Sequence, residues 1–370
     1  MRPAFASTRS AAAFAGLLLL LLLAPMLAGK RILPPREQAY AALSWGSGPY
    51  PWIQNQLFQE KGDIDIALIG SSHILHCLDA RWLQAELSKK LGRPAVVRVM
   101  GWGGAGFDAV YFITRDLLQN RRVQLLVVYN EANAPASRNA KSPAWFRAAD
   151  GLAALRGLPW PEQSYFYFAA LVGLPRNLLA LVRPNLPAGL HTTPPNEWET
   201  HYRSVNLADN LGSTTSELSM GNGDTDPTVP FIPYAPPASA SPAAACVYAP
   251  ATRTNFQFSS APLPVWQEHF ARQLLTLARD HACRLVLLHI PTLDEARVPL
   301  IPERAFWQTN LSDTVCLLGV PPEKMFAGLA DADLRQLYFN PSHLNKNGQA
   351  YFTSLIGPAL ISLYDPPARR

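Results

Sequence analysis

The sequence is short of charge. Only 16% of its 370 residues are Asp, Glu, Lys or Arg. The basic residues are scattered, with Lys89-Lys90 and Arg121-Arg122 only as pairs. A nucleic-acid binder gathers such residues on one element, so no nucleic acid is expected as a partner. The net charge of +5 gives at most a mild preference for anionic surfaces. Cysteine is scarce as well. Cys77, Cys246, Cys283 and Cys316 form no Cys-x-x-Cys pair, which argues against a zinc or redox centre. Neither a metal nor a cofactor is expected. An exported chain permits disulfides among the four, and buried free thiols are the equal alternative. Internal repeats are missing. So is an Ala-x-Ala cleavage signal after the apolar N-terminus.

Apolar residues and proline are plentiful. The chain is 48% hydrophobic, ample for a core, and its 34 prolines suit long irregular loops on a globular frame. Residues 11–28 are apolar, with unbroken leucine from Leu17 to Leu23. Eighteen residues at ~1.5 Å each span ~27 Å, close to a bilayer core. The segment reads as an uncleaved signal-anchor, with a cleaved signal peptide as the alternative. Lys30, Arg31 and Arg36 on one side and Arg2 and Arg9 on the other oppose each other in setting topology. N-terminal signals direct export, so the rest of the chain is expected outside the membrane, in a periplasmic or extracellular space.

Residues 1–29 are thus an anchor, and 30–62 an aromatic juxtamembrane linker. An α/β alternation then begins. Strands are expected at 63–69, 95–99 and 123–129, and helices at 78–91 and 108–120, where Leu78, Trp82, Leu83, Leu87 and Leu91 recur at helical spacing. Near-continuous apolar strands alternating with helices predict a parallel sheet covered on both faces. Residues 144–262 read as an insertion, first helical and then rich in Pro and Ser. The alternation resumes over 263–370. Helices are expected at 263–281, 303–317 and 347–363, and strands at 284–290 and 324–326.

Four short segments sit where chemistry belongs, beyond the carboxyl ends of parallel strands. Gly70-Ser71-Ser72-His73 follows the first strand. Gly70 suits a sharp turn, and Ser72 is either a nucleophile or a plain helix cap. Gly101-Trp102-Gly103-Gly104-Ala105-Gly106 follows the second strand and lets backbone approach a ligand. A dinucleotide fingerprint is rejected, because the block follows the second strand and lacks the acidic residue. Tyr129-Asn130-Glu131-Ala132-Asn133 follows the third, and offers a side-chain amide or a simple turn. Asn340-Pro341-Ser342-His343 precedes the last helix and offers a histidine as general base or as a loop residue.

In this order the four segments resemble the SGNH/GDSL hydrolase superfamily. The resemblance covers about 63–133 and 263–363. It implies a three-layer α/β/α sandwich with a flavodoxin-like parallel sheet, carrying here a large irregular insertion and an N-terminal transmembrane helix. Ser72 aligns with the nucleophile, whose N–H also serves the oxyanion. Gly103 aligns with the glycine oxyanion donor. Asn133 is the first choice for the asparagine donor, with Asn130 its rival. His343 aligns with the base. Three positions depart from the family pattern. Asn340 stands where the family has the aspartate of Asp-x-x-His. Gly101 stands where the second block begins with Asn. Gly-x-Asn-Asp is not intact. An Asp-to-Asn change in the serine-protease triad lowers kcat by ~10⁴ through the wrong histidine tautomer. The orienting partner of His343 is then another carboxylate (Glu131, Asp331 or Asp333), a backbone carbonyl, or the Asn340 amide oxygen itself. Failing these, the enzyme is slow or dead.

An anchor joined to an SGNH-like domain is also loosely similar to exported proteins of alginate O-acetylation and teichoic-acid D-alanylation. The resemblance implies a serine esterase or O-acyltransferase acting on acyl groups of a cell-envelope glycan. Its partners would be an acyl donor, a glycan or ester substrate and a membrane-bound O-acyltransferase. The alternative is a non-catalytic SGNH-like protein that binds a glycan or that acyltransferase.

Overall fold

The computed structural model describes residues 7–27, 36–41, 50–104, 106–130, 142, 153–170, 247–250, 263–295, 315–320 and 325–364. The chain divides into two compact units, Met1–Leu43 with Ala140–Thr193, and Ser44–Asn139 with Pro194–Arg370. In the first, helix α1 spans Thr8–Leu27 and a short helix spans Arg36–Ala41. Residues 160–170 are helical, and Leu155, Leu158 and Phe166 are buried. The α1 side chains are described for residues 8–20 and Leu23 only. Over the described residues, no helix is long and apolar enough to cross a membrane.

The second unit is an α/β fold built on a mostly parallel sheet. Its strands are β1 (Ile64–Ser71), β2 (Val97–Trp102), β3 (Val123–Tyr129), β4 (Val247–Pro250), β5 (Arg284–Leu288) and β6 (Val315–Gly319). Their order is β2-β1-β3-β5-β6-β4, with only β4 antiparallel, on the edge. A two-stranded hairpin, β7 (Tyr338–Asn340) and β8 (His343–Leu344), stands apart from the sheet. The helices are α2 (Ser72–Cys77), α3 (Ala80–Leu91), α4 (Phe107–Asn120), α5 (Val265–Asp280) and α6 (Lys346–Leu363).

The strands are largely apolar because both of their faces are covered. Ile66, Leu68, Val97, Val99, Leu125 and Val127 pack with Ile74, Leu75, Leu83, Leu87, Phe352, Ile356 and Leu360, which belong to α2, α3 and α6. Each such side chain stabilises the fold by roughly 1.5–3 kcal/mol on full burial. Pleating turns the alternate residues, Ala67 and Ile69 among them, to the other face. There α4 and α5 pack on each other and contact β1 and β5.

Helix boundaries follow local chemistry. Asp79 starts α3 by accepting the Arg81 and Trp82 N–H groups at 2.9 and 3.0 Å, and Gly92 ends it in a left-handed conformation. Asn345 starts α6 by accepting the Asn347 and Gly348 N–H groups. A Cβ at Gly348 would collide with the Leu337 carbonyl, so only glycine lets α6 start so close to the hairpin.

Several expectations are corrected. Residues 50–59, expected as linker, form a helical turn (Tyr50–Gln54) and a π-helical turn (Asn55–Gln59). Gln56 accepts from Arg98 through Oε1 and from Arg121 through its backbone carbonyl, which ties this segment to β2 and α4. Residues 315–317, expected at the end of a helix, begin β6. Residues 325–326, part of the 324–326 stretch where a strand was expected, lie in a helical turn. Residues 301–314 lie outside the described set. Cys77, Cys283 and Cys316 are buried free thiols, and Cys246 lies outside the described residues.

Candidate active site

The strand order reverses at β1, the switch point where open α/β sheets hold their ligands. Strand register aligns the ends there. Ser71 pairs with Trp102 of β2, and Ile69 pairs with Val128 of β3. Gly70 lies within β1 rather than in a turn. A Cβ on it would sit 3.0 Å from the Tyr129 Cβ and 3.4 Å from the Ile74 Cβ, so it serves close packing. Gly101 does the same on β2, where Leu75 and Ile74 occupy the space of a side chain.

Ser71 occupies the cap position of α2 but makes no capping hydrogen bond. Its hydroxyl instead bonds His73 Nδ1 at 3.1 Å. Ser72 Oγ lies 2.7 Å from His343 Nε2, joining residues 271 positions apart. The cap reading of the serines therefore gives way to a Ser–His couple.

The other side of the imidazole is held by Asn340. His343 Nδ1 lies 2.9 Å from Asn340 Oδ1. The same oxygen accepts the Ser342 and His343 backbone N–H groups at 2.9 and 3.0 Å. Two backbone donors can only meet an oxygen, so they fix the orientation of the amide. His343 Nδ1 must then carry a hydrogen and donate it. That leaves the Nε2 lone pair facing the Ser72 hydroxyl, the tautomer a general base needs. The tautomer problem foreseen for an asparagine is thus solved by an Asx turn (Asn340 Nδ2 is buried with no partner). Asp333 accepts the Ala330 N–H at 3.3 Å at the start of its own helix, Asp331–Arg335, on which Asp331 also lies. Glu131 lies outside the described residues.

Solvation sets the charge state. Burial holds His343 down at about 4. His73 is held well below the usual histidine value by burial first, and then by His343 and His289 nearby. The two rings stack at 4.5 Å and 20°, and His73 stacks on Tyr129 at 4.7 Å and 18°. His76 meets His343 edge-on at 6.0 Å. Four histidines therefore gather near one sheet edge. Among the described residues no group of His, Cys, Asp or Glu has the arrangement to hold a metal ion.

Gly103 follows the last residue of β2, with Gly104 and Gly106 at φ of 90° and 137°. That backbone is open to few residues besides glycine. Gly103 comes one residue after Trp102 of the Ser71–Trp102 pair, as Ser72, the first residue of α2, comes one after Ser71. Asn130 follows β3 and is fully buried, and neither its Oδ1 nor its Nδ2 has a partner. An orphaned amide of this kind costs about 1–3 kcal/mol per group. Asn133 lies outside the described residues.

Sequence reasoning missed His289. It was read inside a strand; β5 ends at Leu288, so His289 also stands at the carboxyl edge. Its Nε2 lies 2.9 Å from Glu295 Oε2, and its Nδ1 lies 3.4 Å from the Asn130 carbonyl. Burial alone would raise the Glu295 carboxyl; hydrogen bonds from His289 and Thr292 outweigh it and hold the group below its usual value. The loop also supports the hairpin that carries His343. Leu293 N–H donates to the Pro341 carbonyl at 2.8 Å, and Tyr338 OH donates to the Pro291 carbonyl at 2.7 Å. A histidine directly after an apolar parallel strand was the available signal. No protein-family model matches this sequence, and no curated protein is found similar to it.

Proposed function

We propose that this protein is an SGNH-like serine esterase or O-acyltransferase that handles acyl groups, acetyl first among them, on a cell-envelope glycan. The observation that carries this is the 2.7 Å contact between Ser72 Oγ and His343 Nε2, with Asn340 Oδ1 on the far nitrogen. The fold supports it. Discounting the antiparallel edge strand, the order β2-β1-β3-β5-β6 is flavodoxin-like, and helices on both faces suit the three-layer α/β/α sandwich of that superfamily.

Ser72 Oγ attacks the acyl carbonyl while its proton passes to His343 Nε2. The Ser72 and Gly103 N–H groups and an asparagine amide receive the oxyanion. Asn130 has the unpartnered Nδ2 for this, and Asn133 is the other candidate. Collapse of the tetrahedral intermediate returns the proton to the leaving group. A glycan hydroxyl or water then takes the acyl group from Ser72 by the same steps in reverse.

Residues 11–28 serve as the membrane anchor in this reading. The described leucines Leu17 to Leu20 are all exposed, which suits insertion into lipid. The α/β unit then works outside the membrane, in a periplasmic or extracellular space, beside a membrane-bound O-acyltransferase that supplies the acyl donor.

A second reading is a non-catalytic SGNH-like glycan or acyltransferase binder. Asn340 favours it, because no carboxylate charge balances an imidazolium at His343. The test is acetyl-ester turnover by the purified chain with Ser72→Ala and His343→Ala controls. Enzymatic function predicts a loss of about 10³-fold or more in each. Equal turnover in all three proteins sinks the catalytic reading.

A further inference from the structure

Two in-line hydrogen bonds hold the His343 imidazole, one at each nitrogen. They fix where the nitrogens point but leave the ring free to tilt about the line that joins them. A flat neighbour on the ring face removes that freedom. His73 is this neighbour. It is sandwiched between His343 and Tyr129 at 4.5 and 4.7 Å, nearly parallel to both. Its own plane is fixed by Tyr129 behind it and by the Ser71 hydroxyl on Nδ1. We propose that His73 is a positioning residue for the His343 base, holding its plane and offering a neutral π face to the imidazolium formed during acyl transfer. The inference rests on the esterase or acyltransferase reading above and deepens it.

The chemistry explains why such a face matters in this chain. When Ser72 attacks, His343 gains a proton and a full charge. An aspartate would meet that charge; Asn340 meets it only with a dipole. A cation over the face of a neutral aromatic ring is favourable, most of all where water is excluded. His73 stays neutral beside a charged His343, because burial and the like charge both oppose its protonation. The groups around His73 are consistent with this. Tyr129 of β3 and His343 of β8 lie on its two faces, Ser71 of β1 and the Ser342 backbone lie at its edge, and His289 beyond β5 acts at longer range. Glu295 is already engaged by His289.

The test compares His73→Phe and His73→Ala in the full chain. Phenylalanine keeps a ring in the stack; alanine removes it. His73→Ala is expected to lower kcat about 10–30-fold with KM unchanged. It should also move the acid limb of kcat/KM below about pH 4, since the ring face that favours the imidazolium is gone. His73→Phe should recover kcat to within about threefold and keep the limb in place. A His73→Ala protein with wild-type kcat and an unmoved limb overturns the proposal. So does a His73→Phe protein as slow as His73→Ala. A second readout needs no turnover. In a Ser72→Ala background, the His343 ring pKa followed by NMR should fall on His73→Ala and hold on His73→Phe. An unmoved value overturns the positioning role. Lack of Ser72-dependent turnover in the wild type is a separate result, and counts against the acyl-transfer reading alone.

Discussion

Strand β1 ends in a buried polar network at each tip, and the two are built on opposite plans. At the amino end Asp65 is a buried carboxylate with every lone pair engaged. Arg93 donates through Nη1 and Nη2 at 3.0 and 2.5 Å, the Val96 N–H at 2.7 Å and the Tyr364 hydroxyl at 2.6 Å. These bonds outweigh the burial that would raise its pKa, and hold the carboxyl below its ordinary value. At the carboxyl end Ser72, His343 and Asn340 form a chain without formal charge, and unpaired donors stand nearby on Asn130, Trp102 and Asn340. The first network joins the start of β1, the turn before β2 and the end of α6. It is a complete structural clasp. The second leaves buried donors without partners. Satisfied polarity marks the end that holds the fold, and unsatisfied polarity marks the end suited to chemistry.

Changes at the two ends should therefore separate activity from stability. The largest effect is expected from Asn340→Leu, which removes the acceptor that sets the His343 tautomer. Turnover should fall about 10³-fold, against ~10⁴ for the wrong tautomer in a full triad. Steady-state kinetics with the soluble acetyl ester read it, and a loss under tenfold would show that Asn340 does not orient the base.

Asp65→Ala should do the converse. Breaking a fully buried pair costs roughly 3–5 kcal/mol. Arg93 is half exposed and regains water, so about 2 kcal/mol is expected here, with kcat/KM unchanged. Urea unfolding beside an activity assay tests both halves. Lost activity in a folded Asp65→Ala protein would break the contrast.

Asn340→Asp is a gentler probe. A carboxylate beside His343 favours imidazolium, so the acid limb of kcat/KM should move up from about pH 4 toward the ordinary histidine range. kcat should rise about tenfold. A pH–rate profile that overlays the wild type would mean that the amide already supplies all the base needs.

The smallest effects are on stability against pH. His343 and His73 have folded values below the unfolded histidine value of about 6.5. Between the two values the unfolded chain binds more protons, so their contribution falls as pH drops from about 6.5 toward 4. Asp65 is depressed below its unfolded value of about 3.9. Its contribution is present above that pH and fades below it. Melting temperature should thus fall in two stages on acidification, and Asp65→Asn should remove only the more acidic one.

Much of this was legible in the sequence where one signal dominated. Val123–Tyr129 was read to the residue because an apolar, β-branched run buried on both faces has no helical rival of that length. Ser72 and His343 were paired by their place after a strand and before a helix, and the structure brings them into contact. Where two signals competed, the reading failed. Val315-Cys316-Leu317-Leu318 suits a strand or the end of a helix equally, and only pairing with β5 decides it. The orienting partner of His343 was also beyond reach. An asparagine side chain is ambiguous until its backbone donors are known, and those come from the Asx turn. His289 was hidden by extending a strand two residues too far.

The Asx turn has a further consequence, for chemical ageing. An asparagine becomes an aspartate spontaneously when the backbone nitrogen of the next residue attacks its side chain. That nitrogen must carry a hydrogen, and the residue after Asn340 is Pro341, which has none. Seven residues on, Asn347 precedes Gly348, the neighbour least able to obstruct such an attack. In the folded chain the Gly348 N–H donates to Asn345 Oδ1 within the first turn of α6, which hinders that attack at Asn347. Asn340 faces the His343 ring, so this route to a charged partner for that imidazole is closed.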